Sequence, residues 1–230
     1  MVKTKSIEKL FLHILIYTFL LLPISFIFTR QKTKERIAIS IYGFLCFIML
    51  AVYYYGFLKL SFLYFTLYTF LEYFFFTTFI WLNIKSKGFK KIILILSIFF
   101  VGFQGYAYRE FLGTTLDSVP VGVETILIIT YITYYFYESF QSDTSQFIYE
   151  VPCFWICIGM LLYLGGTFFF NILLQYMEKK HVDEYWFLTY VADIIKNLIF
   201  TFSMAIHVNQ TSNSKRLHQN HLPYLDLDLN

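Results

Sequence analysis

The sequence predicts an all-α fold, a polytopic integral membrane protein in which seven transmembrane helices form one bundle. The first observation is composition: 58% of the 230 residues are hydrophobic and only 14% are charged, whereas soluble domains carry roughly 25% charged residues. The second is the number of aromatic rings, since 29 Phe and 20 Tyr are more than an ordinary soluble core absorbs. The third is a series of apolar runs, each long enough to cross a bilayer core of about 30 Å as a helix of about 20 residues.

The first predicted span follows a short N-terminal tail, residues 1–9. Its apolar run, Leu10 to Phe28, is longer than the apolar part of a signal peptide, and no small-x-small cleavage site follows it. The run is therefore predicted to be retained as a span. Charged segments such as TRQKTKER, KSKGFKK and MEKKHVDEY separate the later spans. These spans cover approximately residues 37–56, 59–82, 92–108, 120–138, 152–176 and 186–207.

Two of the spans have informative ends or faces. Only weak turn signals, in the segment YYYGFLKLS, separate the second and third predicted spans. Without a turn there, the number of spans falls and the orientation of the later spans is reversed. The sixth span begins at Pro152, whose missing N–H costs nothing in the first turn of a helix. Gly159 and Gly166 share one face of that span, a pattern that favours close helix packing over a gating hinge.

The distribution of Lys and Arg predicts the orientation, because cytoplasmic loops are enriched in these residues. Ten lie on the side reached after the odd-numbered spans and seven on the side of the N-terminus. This bias predicts a multi-pass protein of the inner (cytoplasmic) membrane with its N-terminus outside. The chain is predicted to end in a disordered cytoplasmic tail, residues 208–230. The larger group comprises Arg30, Lys32, Lys34, Arg36, Lys85, Lys87, Lys90, Lys91, Lys215 and Arg216.

Polar side chains inside the spans are candidates for an interior site, because a charge at membrane depth is costly and marks function by default. On the seventh span Asp193, Lys196 and Asn197 fall within one arc of about 100°. At about 1.5 Å per residue, Asp193 lies roughly 10 Å and Lys196 roughly 15 Å below the outer end of that span. We predict that polar groups from several spans converge there, in the outer half of the bilayer. The candidate polar or ligand site comprises Glu72, Glu124, Asn171, Asp193, Lys196 and Asn197.

Two interpretations of this group stay open. Asp193 and Lys196 can neutralise each other and hold the seventh span in the bundle, or the group can bind a ligand. Glu72 has no partner within its own span, so we expect it either to pair with Lys196 or to be protonated.

Several other kinds of site are not predicted. The mild net charge of +3 argues against a nucleic-acid partner. Cys46, Cys153 and Cys157 lie in apolar runs without zinc-ligand spacing. The HExxH and GxSxG motifs and paired aspartates are absent, so no catalytic residue, metal or cofactor is assigned. The predicted surroundings are the lipid bilayer and a small-molecule ligand whose identity the sequence does not give.

Four segments resemble the small, uncharacterised seven-span membrane proteins of Bacteroidota, over about residues 10 to 206; they are LYTFLEYFFF, VETILIITYITYYFYE, PCFWICIGMLLYLGG and IIKNLIF. The resemblance implies a compact membrane protein with a sensory or signalling role, since such proteins are often encoded beside two-component signalling genes. It supplies no reaction and no ligand, and Asp193 has no place in the motif. Its most specific positions are Pro152, Phe154, Trp155, Gly159, Tyr163 and Gly166, then Lys196 with Asn197, then Glu72 and Glu124.

Three functions compete at this point. A receptor or signalling module would need a cytoplasmic or membrane signalling partner, docked at the basic segments 30–36 and 85–91, although topology and anionic lipid also explain those segments. A retinal protein is suggested by the lysine in the seventh span, but the single carboxylate of the third span and the spacing of Asp193 and Lys196 disfavour it. A small proton-coupled transporter using Glu72 and Lys196, or an intramembrane enzyme, is the third, although no broken helices are evident.

Overall fold

The structure, a computed structural model, describes the backbone of residues 2–29, 32–55, 62–110, 118–141, 148, 151–176 and 185–220. Within these ranges the side chains of residues 2–7, 62, 110, 118, 171–176 and 206–220 are not described. Seven helices run through the described residues: α1 Val2–Phe28, α2 Lys34–Tyr54, α3 Phe62–Asn83, α4 Lys87–Glu110, α5 Ser118–Gln141, α6 Pro152–Tyr176 and α7 Phe187–Asn220. All seven are long and apolar enough to cross a membrane, so the chain is an all-α, multi-pass membrane protein.

Six of the helices form a closed ring. Contacts run from α1 to α2, α2 to α3, α3 to α5, α5 to α6, α6 to α7 and back from α7 to α1. Helix α4 packs on α3 and α5 from outside this ring. Odd-numbered helices begin on one side of the bundle and even-numbered helices end there, and we call this side the N-terminal side. The interior of the ring is where side chains of α1, α2, α3, α6 and α7 meet.

The outer surface of the bundle is apolar, as a lipid-facing surface requires. On α7 the side chains of Ile195, Leu198 and Phe202 are exposed, while Lys196 and Asn197 on the other face are completely buried. The polar arc predicted for the seventh span, with Asp193, Lys196 and Asn197, therefore faces the interior of the bundle.

Two glycines allow neighbouring helices to approach closely. A Cβ at Gly43 of α2 would lie 2.7 Å from Leu22 Cβ and 3.0 Å from the carbonyl oxygen of Phe19 on α1. A Cβ at Gly159 of α6 would lie 3.0 Å from the Phe200 ring of α7. The packing role predicted for Gly159 thus has a specific partner, whereas Gly166 has only an ordinary 3.7 Å neighbour in Ala192.

The observed boundaries differ from the predicted spans mainly at the helix ends. Helix α1 includes the backbone of most of the predicted N-terminal tail, and α7 continues to Asn220, beyond the predicted end of the seventh span at residue 207. Residues 221–230 of the predicted tail lie outside the described residues, as does the uncertain turn between the second and third spans, residues 56–61.

The connection between α3 and α4 is short and is closed by a carboxylate from α5. Glu138 accepts hydrogen bonds from the backbone N–H groups of Lys85 and Ser86, each at 2.7 Å. These N–H groups immediately precede α4, where a negative charge complements the helix dipole. Glu138 therefore attaches the outer helix α4 to the ring on the side opposite the N-terminal side.

Candidate functional site

Lys196 lies in the centre of the ring with no solvent-exposed surface. Its ammonium donates hydrogen bonds to Asp193 Oδ1 at 2.6 Å, to Glu72 Oε1 at 2.9 Å and to the Tyr42 hydroxyl at 2.8 Å. An ammonium has three N–H groups, so all of them are used. The ion pair with Glu72 joins α7 to α3, the pair with Asp193 lies within α7, and the hydroxyl of Tyr42 adds α2.

Tyrosine hydroxyl groups complete the coordination of the two carboxylates. Tyr42 donates to Glu72 Oε1 at 3.1 Å, and Tyr163 of α6 donates to Glu72 Oε2 at 2.8 Å. Tyr68 of α3 donates to Asp193 Oδ1 at 3.3 Å. We call the set Lys196, Asp193, Glu72, Tyr42, Tyr163 and Tyr68 the Lys196 cluster.

Aromatic rings surround the ammonium on several sides. The Tyr163 ring is closest, with its centroid 3.6 Å from Lys196 Nζ. The rings of Phe19, Tyr42 and Phe76 lie between 5.4 and 5.6 Å away. Each ring presents the negative face of its quadrupole to a cation within about 6 Å. The rings and the carboxylates together compensate the loss of water around a buried ammonium, which otherwise costs several kcal/mol.

The charges of the cluster do not balance. Glu72 and Asp193 each contribute a carboxylate, and both pair with the single ammonium of Lys196. In the described part of the chain neither carboxylate has a second cationic partner. With all three groups ionised the cluster carries a net charge of about −1, which a proton or another cation can neutralise.

A cavity of about 160 Å³ lies next to the cluster. Asp193, Glu72 and Tyr163 form one end of it, together with Glu124 from α5. The other end is lined by residues near helix termini, among them Trp186, just before α7. Since α3, α5 and α7 begin on the N-terminal side, the cavity extends from the cluster toward that side. The lining comprises Leu15, Leu50, Tyr53, Tyr64, Phe65, Tyr68, Thr69, Glu72, Val121, Glu124, Tyr163, Leu164, Thr167, Trp186, Thr189, Tyr190 and Asp193.

The predicted site residues therefore fall into three groups. Glu72, Asp193 and Lys196 are in direct contact, including the pairing of Glu72 with Lys196 that the sequence analysis named. Glu124 lines the same cavity and is almost fully buried. The backbone of Asn171 belongs to α6, but its side chain lies outside the described residues.

Asn197 does not join the cluster. Its amide Nδ2 donates to Thr18 Oγ1 of α1 at 3.2 Å, and it is not part of the cavity lining. Its Oδ1 atom is buried without a hydrogen-bond partner among the described residues. The contact therefore positions α7 against α1, although the sequence analysis grouped Asn197 with the ligand candidates.

Sequence reasoning missed the three tyrosines of the cluster. Tyr42, Tyr68 and Tyr163 are three of 20 tyrosines, and tyrosine is common in membrane helices because its ring is amphipathic. One available signal was spacing. Tyr68 precedes Glu72 by four residues, about one helical turn, and therefore lies on the same face of α3. Tyr163 was noted only as part of the family resemblance.

The described residues contain no group of three or more His, Cys, Asp or Glu side chains arranged to hold a metal ion. Comparison with protein-family models, with curated proteins and with solved structures finds no match to this chain. The Lys196 cluster and the cavity beside it are therefore the features from which a function can be inferred.

Proposed function

We propose that this protein is a sensory module of the membrane, in which a small molecule enters the cavity from the N-terminal side and changes how the helices pack. The single observation that carries the proposal is the position of the Lys196 cluster. It forms the end of the cavity and, at the same time, joins α2, α3, α6 and α7. If the orientation follows the distribution of basic residues, the cavity faces the outside.

A ligand at this place can act on the helices because the same carboxylates serve both purposes. Asp193 and Glu72 line the cavity and bind Lys196. A ligand that withdraws Glu72 from Lys196 weakens the ion pair between α3 and α7, and a ligand that neutralises the spare charge strengthens the cluster. A ligand shifts a conformational equilibrium by its difference in affinity for the two states, and contact with the cluster supplies such a difference.

A signal leaving the bundle would have to be received on the opposite side. There the Glu138 contact connects α5 to the turn before α4, and basic residues are concentrated at the starts of α2 and α4. A cytoplasmic or membrane signalling protein with an acidic surface fits this side. We propose that this signalling protein docks on the side opposite the N-terminal side.

The experiment measures hydrogen–deuterium exchange of the purified protein, comparing wild type with Asp193→Asn. The substitution removes one negative charge from the cluster, as a neutralising ligand would. We expect changed exchange both near Asp193 and at residues 84–90 on the opposite side. Thr130→Val, a change at an exposed position of α5, is the matched control. A change confined to the N-terminal side would contradict the sensory proposal.

A second candidate, a small proton-coupled transporter, is favoured by the excess of one carboxylate over one ammonium in the cluster. A site that alternately holds and releases a proton needs such an imbalance. Proteoliposomes with an internal pH-sensitive dye test it, and a proton flux present in wild type and lost in Glu72→Gln would favour transport. Equal, background flux in both would exclude it.

The cavity does not favour retinal. Lys196 is not among the lining residues, and its three N–H groups are held by Asp193, Glu72 and Tyr42. The volume of the cavity, about 160 Å³, is close to that of an engineered cavity that holds benzene.

A further inference from the structure

We propose that the ligand of this cavity is a small organic cation, an ammonium group that carries alkyl substituents. This inference rests on the proposed sensory function and names the chemical class of the molecule sensed. Three independent properties of the cavity lead to it: the charge of one end, the aromatic character of the other, and the volume.

Among the described lining residues, the charged end of the cavity presents carboxylates and no cation. Glu72, Glu124 and Asp193 belong to its lining, whereas Lys196, the cation beside them, does not. No Lys, Arg or His is among the described lining residues. A ligand in the cavity therefore meets the excess negative charge of the cluster directly, at a depth where water does not screen it.

Asp193 offers a specific acceptor to such a ligand. Its side chain is only 10% exposed, and the residue lines the cavity. Oδ1 accepts from Lys196 and Tyr68, while Oδ2 accepts no hydrogen bond within the described part of the chain. A cationic group in the cavity compensates the negative charge of this carboxylate, and a quaternary ammonium does so by charge alone, without donating a hydrogen bond.

Aromatic rings form much of the remaining lining, beside leucine, valine and threonine side chains. Tyr68 and Tyr163 of the Lys196 cluster belong to the lining, and five further aromatic residues join them: Tyr53, Tyr64, Phe65, Trp186 and Tyr190. Aromatic walls with a carboxylate at one end are the arrangement that proteins use to bind quaternary ammonium groups. The rings attract the cationic head, and their apolar surface accommodates its alkyl groups.

The volume limits the size of the cation. A cavity of about 160 Å³ holds a molecule of roughly the size of benzene. A trimethylammonium compound with a short substituent matches this size, while a lipid or a retinoid exceeds it. A hydrated inorganic cation would leave the aromatic walls without a partner.

The cluster already contains one example of the same recognition. The Lys196 ammonium lies between carboxylates and over aromatic rings. The cavity offers a cationic ligand the same two kinds of partner, carboxylates and aromatic rings, on the side of Asp193 and Glu72 that faces away from Lys196. Lys196 alone supplies one positive charge against the two carboxylates, Glu72 and Asp193. A cationic ligand would supply the second positive charge and balance them.

The test uses choline as the probe and Trp186 as the reporter. Trp81→Phe with Trp155→Phe leaves Trp186 as the single tryptophan of a chain that has three. The protein is kept in a maltoside detergent, which has no ammonium group that would compete. The comparison ligand is 3,3-dimethylbutan-1-ol, which has the shape of choline but carries no charge.

We expect a saturable change in Trp186 fluorescence with choline, with affinity at least about ten-fold higher than for the neutral alcohol. Asp193→Asn should lower the affinity for choline about ten-fold or more. Glu124→Gln leaves both carboxylates that pair with Lys196 in place and should lower the affinity for choline several-fold. This variant replaces Asp193→Asn in the test if Asp193→Asn does not fold. Glu35→Gln removes an equal charge on the opposite side, away from the turn at residues 84–90, and should leave choline binding unchanged.

Two results would overturn the inference. Equal binding of the alcohol and choline would mean that the cavity recognises shape and not charge, and no saturable response to choline would mean that it is not a site for this class. Neither result decides the sensory proposal, which the exchange experiment tests without any ligand. Loss of long-range exchange coupling with intact choline binding would instead leave a cation site without a sensory role.

Discussion

The ammonium of Lys196 lies 3.6 Å from the centroid of the Tyr163 ring, and the hydroxyl of the same tyrosine donates to Glu72 Oε2 at 2.8 Å. Tyr163 therefore stabilises both members of the Lys196–Glu72 ion pair, the cation through its ring and the anion through its hydroxyl. It also brings α6 into contact with α3 and α7 at the same point. This relationship explains how a chain can keep three ionisable groups in the middle of a membrane bundle.

Tyr163→Phe tests the hydroxyl separately from the ring. We expect it to lower the free energy of unfolding by about 1–3 kcal/mol, because Glu72 Oε2 loses the donor that satisfies it. Tyr163→Leu should cost more, since it removes the ring as well. Thermal unfolding in detergent provides the measurement. Tyr137→Phe, at an exposed tyrosine of α5, is the matched control, and equal stability of all three variants would contradict this account.

Lys196→Met should destabilise the protein strongly. It leaves Asp193 and Glu72 buried without their cation, a situation that costs about 3–5 kcal/mol. Lys196→Met combined with Asp193→Asn and Glu72→Gln removes the uncompensated charges and should recover much of the loss. Unfolding of both variants is followed by circular dichroism in detergent.

This pair of variants also separates the two interpretations of the cluster. If Lys196→Met keeps the stability of wild type, the cluster has no structural role. If the triple variant is as stable as wild type, the three charges are not needed for the fold.

Gly43→Ala should lower stability by about 1–3 kcal/mol, because the new methyl group would overlap Leu22 and a backbone carbonyl that cannot move away. Its position beside Tyr42 means that the shift reaches the Lys196 cluster as well. Gly102→Ala on α4 is the control, since nothing lies within 4 Å of a Cβ there, and it should be neutral or slightly stabilising. The melting temperatures of the two variants provide the comparison. Equal effects would show that α1 and α2 can separate at little cost.

Glu138→Ala should loosen the turn between α3 and α4. Two backbone N–H groups lose a charged acceptor, and each such hydrogen bond contributes up to about 1.5–3 kcal/mol, less where it is exposed. Faster hydrogen–deuterium exchange at Lys85 and Ser86 is the expected result. Glu138→Gln keeps one acceptor oxygen and should show an intermediate rate. Unchanged exchange in both variants would mean that other contacts hold the turn.

The sequence predicted part of the site because helical periodicity is a local property. Asp193 and Lys196 had to share a face of α7, and depth placed Glu72 at a similar level in α3. From these two properties the sequence named pairing with Lys196 as one of two possibilities for Glu72, the other being protonation. The same two properties could not place Tyr42 or Tyr163, because the choice among 20 tyrosines depends on which helix faces which.

Asn197 shows what helical periodicity cannot predict. It shares the polar arc of α7, and from the sequence it was indistinguishable from a cavity residue. Its contact with Thr18 arises because α1 lies beside α7 in the ring, closing the bundle between the first and last helices. Periodicity gives the face of a helix and not the neighbour of that face.

The sequence by itself determined that this chain crosses the membrane in seven helices and that α7 directs its charges inward. Composition and period are sufficient for this, because hydrocarbon admits only apolar surface and backbones that satisfy their own hydrogen bonds. Only the tertiary structure decided that Lys196 is enclosed by two carboxylates, a hydroxyl and four rings. It also decided that Asp193 and Glu72 face a cavity on their other side. Such convergence depends on the order of helices around the ring, which follows from side-chain packing across all of them at once.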